Sequence, residues 1–277
     1  MPELPEVETI KRTLEPKILG RRIENAEVFY CSIIKCPSVN EFVDKVKGCS
    51  IIKLRRRGKY LLIDLDNSSS MIISFRMTGQ LLYVDKNNVG YPYDRHTHAV
   101  FKLENGVELR FRDPRKFGRI ALVKTSEVEN TKEILKLGYE PFSPEVTEDM
   151  LFQFFKSRRG KIKQLLMDQS FICGIGNIYS DEILFYAGIH PERTSNTLTI
   201  EEVRAVYNGM VKVLNEAIEQ RGTSIKDYVD GKGDKGSYQH LLKVYGRKGE
   251  KCCRCGSEII CTKVGGRTAH FCPHCQK

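Results

Sequence analysis

The chain opens Met1-Pro2-Glu3-Leu4-Pro5-Glu6, an amine and two carboxylates within six positions. A small residue at position 2 predicts trimming of Met1, which leaves Pro2 as a free secondary amine beside Glu3. An α-amino group titrates near ~8 and a lysine near ~10.4, so the terminal amine is the better neutral nucleophile at physiological pH. Its adduct with a sugar aldehyde carbon is an iminium, which is cationic at every pH and acts as an electron sink. An amine next to a carboxylate therefore suits covalent catalysis. The same six residues also fit an inert start before a first helix, so the rest of the chain has to decide.

The second chemical signal is Cys252-x-x-Cys255, then sixteen residues, then Cys272-x-x-Cys275. Two close thiolate pairs at this spacing predict one tetrahedral Zn2+. With all four positions filled by protein the metal is structural, since no coordination site is open to a substrate. Glu258–Lys263 and Arg267–Phe271 are expected to form a hairpin tipped by Gly265-Gly266. Lys251, Arg254, Lys263 and Arg267 would make it a basic prong. Cys253 and Cys261 fall outside the pairing, and Cys31, Cys36, Cys49 and Cys173 read as ordinary reduced thiols.

Three further stretches combine cations with turns. Arg55-Arg56-Arg57-Gly58-Lys59-Tyr60 leads into a strand. Arg112-Asp113-Pro114-Arg115-Lys116-Phe117-Gly118 surrounds a loop aromatic with charge, which fits a wedge between base steps or a ring folded into the core. Cys173-Gly174-Ile175-Gly176-Asn177 precedes a helix whose first N–H groups can hold an anion, and Arg158, Arg159, Lys161 and Lys163 lie upstream. His96 and His98 have no ligand set around them and fit satisfied strand positions equally well. Gly222–His240, with four glycines and three lysines, reads as a mobile basic loop.

The elements that must carry these groups follow from periodicity. Pro5 to Leu14 reads as a helix stopped by Pro16. Strands are expected at Ala26–Tyr30, Tyr60–Asp64, Met71–Phe75, Gln80–Val84, His98–Leu103, Val107–Phe111 and Arg119–Val123, which suggests an antiparallel sandwich. Helical periodicity takes over after Gly138-Tyr139-Glu140-Pro141. It is clearest from Thr199 to Arg221, where Thr199 and Glu202 make a capping-box pair. The expected class is α+β, with a β-sandwich domain at 1–135, a linker at 136–145, a helical domain at 146–242 and a zinc finger at 243–277. A formal charge of +10 over 277 residues favours an anionic partner. The absence of any long apolar run argues for a cytoplasmic protein with no membrane partner.

Five stretches in order resemble the formamidopyrimidine-DNA glycosylase family of bacterial base-excision repair enzymes. They are Met1–Thr9, Gly58-Lys59-Tyr60-Leu61, Asp113–Gly118, Gly174–Tyr179 and Gly266–Gln276, and they span the whole chain. The sibling endonuclease VIII branch typically has Gly where this chain has Leu4, so the start resembles the purine-acting branch more. The resemblance implies a monomer with a β-sandwich, a helix–two-turn–helix domain and a β-hairpin zinc finger. Its partner would be double-stranded DNA containing oxidised purines such as 8-oxoguanine and formamidopyrimidines. It further implies base excision through a Pro2 Schiff base, then strand cleavage by β,δ-elimination.

Carried onto matching positions, Pro2 would be the nucleophile and Glu3 the proton donor, with Glu6 in support. Lys59 would contact phosphate and assist β-elimination, and Arg267 would grip the flanking phosphates and serve δ-elimination. Met77, Arg115 and Phe117 would fill the gap left by a flipped base, with Arg115 facing the orphaned cytosine. His96, Arg158, Lys163 and Asn177 would hold the DNA backbone, and Gly222–His240 would close over the extruded base. The alternatives are an oxidised-pyrimidine glycosylase of the endonuclease VIII type and a zinc-finger DNA-binding protein without catalysis.

Overall fold

The computed structural model describes residues 2–85, 87 and 93–277, so Met1 lies outside the described residues. The chain folds as two compact units. One comprises residues 1–135 and 220–239, the other 136–219 and 240–277.

The first unit opens with helix α1 (Leu4–Ile18). Val7, Ile10, Leu14 and Ile18 recur at three- and four-residue spacing and are all buried, which fixes the inward face. The helix runs through Pro16 instead of stopping there. Burial of Ile18 one turn beyond Leu14 outweighs the single hydrogen bond that Pro16 cannot make. Strands β1 (Ile23–Val28) and β2 (Ile34–Cys36), helix α2 (Val39–Val46), and strands β3 (Ile51–Arg57), β4 (Tyr60–Leu65), β5 (Ser69–Ser74), β6 (Gln80–Val84), β7 (Thr97–Leu103), β8 (Val107–Arg112) and β9 (Arg119–Lys124) follow. They form a four-stranded sheet β1-β7-β8-β6 and a five-stranded sheet β2-β9-β5-β4-β3. Pairing is antiparallel except between β2 and β9, which run parallel. Val7 and Ile10 join Ile63, Ile73, Phe101, Leu109 and Phe111 in one core, which defines a β-sandwich headed by a helix. Strands β2 and β3 and helix α2 were not among the expected elements, although Val39, Phe42, Val43 and Val46 keep helical spacing behind the Ser38 cap and could have shown α2.

The second unit holds helices α3 (Glu148–Lys156), α4 (Ile162–Leu166), α5 (Asn177–Ala187) and α6 (Ile200–Glu219), then the hairpin β10 (Ile260–Val264) and β11 (Arg267–Phe271). At the start of α6, Thr199 N donates to Glu202 Oε2 at 2.8 Å and Glu202 N to Thr199 Oγ1 at 3.3 Å, the reciprocal cap expected. Helix α5 is buried at eight consecutive positions, Ile178–Phe185, as a central helix must be. The β10–β11 register pairs Val264 with Arg267 across the Gly265-Gly266 tip, where both glycines have positive φ.

The residues Gln220–Gln239 group with the first unit, whereas composition places them with the helices as a mobile loop. They are tied down by long-range backbone bonds. Gly231 N donates to Thr13 Oγ1 at 3.1 Å, Tyr83 N to Gly231 O at 2.7 Å, and Gln80 Nε2 to Asp227 O at 2.5 Å.

Candidate active site and metal centre

In the first unit, Pro2 is buried and lies two residues ahead of α1. Glu3 and Glu6 are buried at the head of the helix. Glu6 joins the two ends of a long loop closure: its Oε2 accepts Glu3 N–H at 2.7 Å, and its Oε1 accepts Thr223 N–H at 2.8 Å. The Tyr228 hydroxyl donates to Glu6 O at 3.4 Å and Arg221 O at 3.1 Å. Burial, then the Glu6 charge, pushes the Tyr228 hydroxyl well above its ordinary range, so it stays a donor. Gly222 has φ +80°, and a Cβ there would meet Glu6 Oε1 at 2.9 Å. That position therefore needs glycine both for its conformation and for the close approach.

Lys59 is half-buried in the β3–β4 turn behind Gly58, whose φ is +53°. The arginines before it are committed inside the unit: Arg55 grips Asp64 through two bonds of 2.7 and 2.8 Å, and Arg56 Nε reaches Glu8 Oε2 at 3.0 Å. At another place in this unit, Met77 and Phe117 are exposed at 36% and 52%. Arg115 is exposed too, its guanidinium 5.7 Å from the Phe117 ring centre. The structure thus resolves the Phe117 alternatives in favour of the exposed ring. His96 is half-buried and accepts Arg95 Nε at 3.3 Å, while His98 is buried with its Nε2 2.8 Å from Asp113 O.

In the second unit, Asn177 heads α5 after Gly176, and its side-chain oxygen is buried with no hydrogen-bond partner. An orphaned buried polar atom at a helix N-terminus is the kind of group an external partner satisfies. Arg158 is exposed and lies over the Phe154 ring at 4.5 Å. Arg267 is exposed at the start of β11. Lys163 differs from expectation. It is 0% exposed, ion-paired with Asp181, and donates to Thr268 O at 3.0 Å. A buried ammonium needs such partners, so Lys163 pins β11 to α4 and α5 and does not face outward for a phosphate. Asp181 also accepts His270 N–H at 2.9 Å.

The four thiols Cys252, Cys255, Cys272 and Cys275 converge, with all sulfurs within 4.8 Å of one another. Cys252 and Cys275 sulfurs are 3.9 Å apart, and those of Cys255 and Cys272 are 3.5 Å apart. Tetrahedral zinc with Zn–S near ~2.3 Å requires sulfur separations of about 3.8 Å, so the cluster fits one structural Zn2+. Hydrogen bonds from Ser257 pull the Cys255 thiol down to about 6, whereas burial pushes Cys272 up. Bound zinc would hold all four as thiolates. Amides 254 and 275 donate to Cys252 and Cys272 sulfurs, each at 3.4 Å.

Sequence reasoning missed what fastens this finger. Glu182, fully buried on α5, accepts the N–H groups of Lys243, Val244 and Tyr245 at 2.8, 3.0 and 2.8 Å. Burial pushes its carboxyl up, and these three bonds offset that only in part. Arg254, expected on a basic prong, instead donates to the carbonyls of Phe185 and Tyr186 at the end of α5. No signal in local sequence marks either role.

A helix-headed β-sandwich and a helical unit ending in a four-thiolate hairpin define an α+β zinc-finger protein. Residues 1–120 match the formamidopyrimidine-DNA glycosylase N-terminal domain, 137–229 the H2TH domain of the same enzymes, and 249–277 the zinc finger found in FPG and IleRS. A formamidopyrimidine-DNA glycosylase of Carboxydothermus hydrogenoformans is 48% identical over 277 residues, with both chains covered in full. That of Pelotomaculum thermopropionicum is 46% identical, covering 100% of this chain and 99% of its own. A Lactococcus lactis Fpg solved with abasic-site DNA superposes with a TM-score of 0.92 at 36% identity, with 99% of each chain covered. The chain belongs to the formamidopyrimidine-DNA glycosylase family. No helix among the described residues is long and apolar enough to cross a membrane.

Proposed function

We propose that this chain is a base-excision repair glycosylase and abasic-site lyase that removes oxidised purines from duplex DNA, with Pro2 as nucleophile. The observation that carries the reading is the head of α1, where Glu6 holds the Glu3 amide one residue from the Pro2 nitrogen. Once Met1 is removed, the Pro2 lone pair attacks C1′ of a flipped nucleotide. The C1′–N bond breaks and the base leaves, taking up the proton that the Pro2 nitrogen loses, while Glu3 delivers a proton to O4′ as the C1′–O4′ bond breaks and the sugar ring opens to a C1′ iminium. The iminium draws electrons from the C2′–H bond, so C2′ loses its proton and the 3′ phosphate departs. A second elimination expels the 5′ phosphate.

In this reading Lys59 attends the first elimination and Arg267 the second, each pairing with phosphate charge. Met77, Arg115 and Phe117 fill the emptied stack, which offsets the few kcal/mol that flipping costs. Asn177 and Arg158 hold the backbone with His96, and Gly222–His240 closes over the base. Residues 1–135 carry the chemistry, 136–145 link, 146–242 bind DNA and 243–277 form the zinc finger. A cytoplasmic, nucleoid-associated monomer fits this role.

Borohydride reduction with an 8-oxoguanine duplex tests the nucleophile. A covalent protein–DNA adduct is expected. It should be lost when Met1 is retained, because the Pro2 nitrogen is then a tertiary amide, and sharply reduced in Pro2→Gly. An adduct that survives both changes would remove Pro2 as the nucleophile. A second reading, action on oxidised pyrimidines, draws on a Lactococcus lactis Fpg solved with oxidised-pyrimidine DNA at TM-score 0.91 and 35% identity. Faster cleavage of thymine glycol than of 8-oxoguanine opposite cytosine would favour it. Leu4 favours the purine.

A further inference from the structure

We infer that Thr78 and Asp113 lock the Met77 turn and the Arg115–Phe117 turn into one wedge, and that this lock sets discrimination for the base opposite the lesion. The inference rests on the function proposed above and deepens it. Three exposed side chains can resist a stacked duplex only if the backbone beneath them does not yield. Here two separate turns bear them, and each is a tight one: Arg76 has φ +52° and Lys116 has φ +59°. Both turns close tightly against their neighbours. A Cβ at Gly79 would meet Phe75 O at 2.6 Å, and one at Gly118 would meet the Phe111 ring at 2.5 Å.

The joint between the turns is polar and buried. Asp113 is fully buried and Thr78 is 6% exposed. The Thr78 hydroxyl donates to Asp113 Oδ1, and Thr78 Oγ1 also accepts the Arg115 N–H at 3.2 Å. Asp113 Oδ1 shares that N–H at 3.2 Å, and Oδ2 accepts Gly118 N–H at 2.6 Å. Its main-chain oxygen accepts Lys116 N–H at 3.1 Å and lies 2.8 Å from His98 Nε2. One carboxylate thus spans the Arg115–Gly118 turn from end to end, and one hydroxyl ties it to the residue beside Met77. Thr78 and Asp113 do not touch DNA in this reading; they are positioning residues that act through Arg115 and Phe117.

Thr78→Val keeps the shape and removes both bonds of the hydroxyl, whereas Thr78→Ser keeps both. The ratio of 8-oxoguanine cleavage opposite cytosine to that opposite adenine is expected to fall about tenfold in Thr78→Val. That is the size associated with losing one charge-assisted hydrogen bond. The ratio should return in Thr78→Ser and fall in Asp113→Asn. Cleavage of a preformed abasic site in single-stranded DNA, which has no opposite base, should stay within about twofold of wild type in all three, since it does not use the wedge. An unchanged ratio in Thr78→Val overturns the inference. So does a parallel loss on single strands, which would mean that the substitution damages the fold or the amine site. A wild-type chain inactive on both substrates overturns the functional reading and this inference with it.

Discussion

Glu8, two residues beyond Glu6 on α1, holds the helix to the sheet. It accepts Arg12 Nε at 2.9 Å and Arg56 Nε at 3.0 Å, which ties α1 to β3. Burial pushes its carboxyl up, but the Arg12 hydrogen bond and the Arg56 charge outweigh that and leave it below the usual range. A depressed carboxyl contributes stability that is present above its unfolded value, ~4.3, and lost as pH falls through the lower folded value. Urea midpoints at pH 7, 5 and 3.5 should therefore drop less steeply below pH 5 in Glu8→Gln than in wild type. Equal slopes would show that the pair contributes nothing to acid stability. At this scale the sequence was legible where chemistry is written locally, as at the four cysteines. Asp113, Thr78 and Tyr228 were not, because their importance lies in partners that no spacing rule reaches.

Helix α5 shows the same limit for elements. Its start was readable from Gly174-Ile175-Gly176-Asn177, and the finger beyond it from cysteine spacing. Nothing local says that Asp181 and Glu182, adjacent in α5, hold β11 and the 243–245 amides. Strand position was legible in places, so β6 and β11 fall where expected, whereas Pro16 misled because core burial overrides a helix breaker. The finger's own core is small, comprising Phe185, Val244, Cys252, Ile259 and Cys272. So small a core leans on its metal. Chelation is expected to release one zinc per chain and speed hydrogen exchange at amides 252–276, with DNA binding lost. The sandwich amides of β4 and β5 should stay protected. Equal loss of protection in both regions would mean that zinc supports the whole fold.

At the scale of the whole molecule, a net charge of +10 announces an anionic partner, but not which cations meet it. Arg55, Arg56, Lys163 and Arg254 are committed to internal partners, so a count of basic residues overstates the DNA footprint. Arg267→Ala should reduce the slope of log affinity against log salt by about one, as loss of a phosphate contact does. Lys163→Ala should lower thermal stability and leave that slope unchanged. A slope change in Lys163→Ala alone would reverse the assignment.

The grouping of 220–239 with the amino-terminal unit has one more consequence, for the order of synthesis. Glu6 finds its Thr223 partner 217 residues downstream. While the ribosome makes that stretch, the chain's beginning is already outside and Glu6 lacks its Thr223 partner. Removal of Met1 has this interval in which to act. In the function proposed above, the Pro2 amine can thus be unmasked during translation, before the segment that bonds to Glu6 exists.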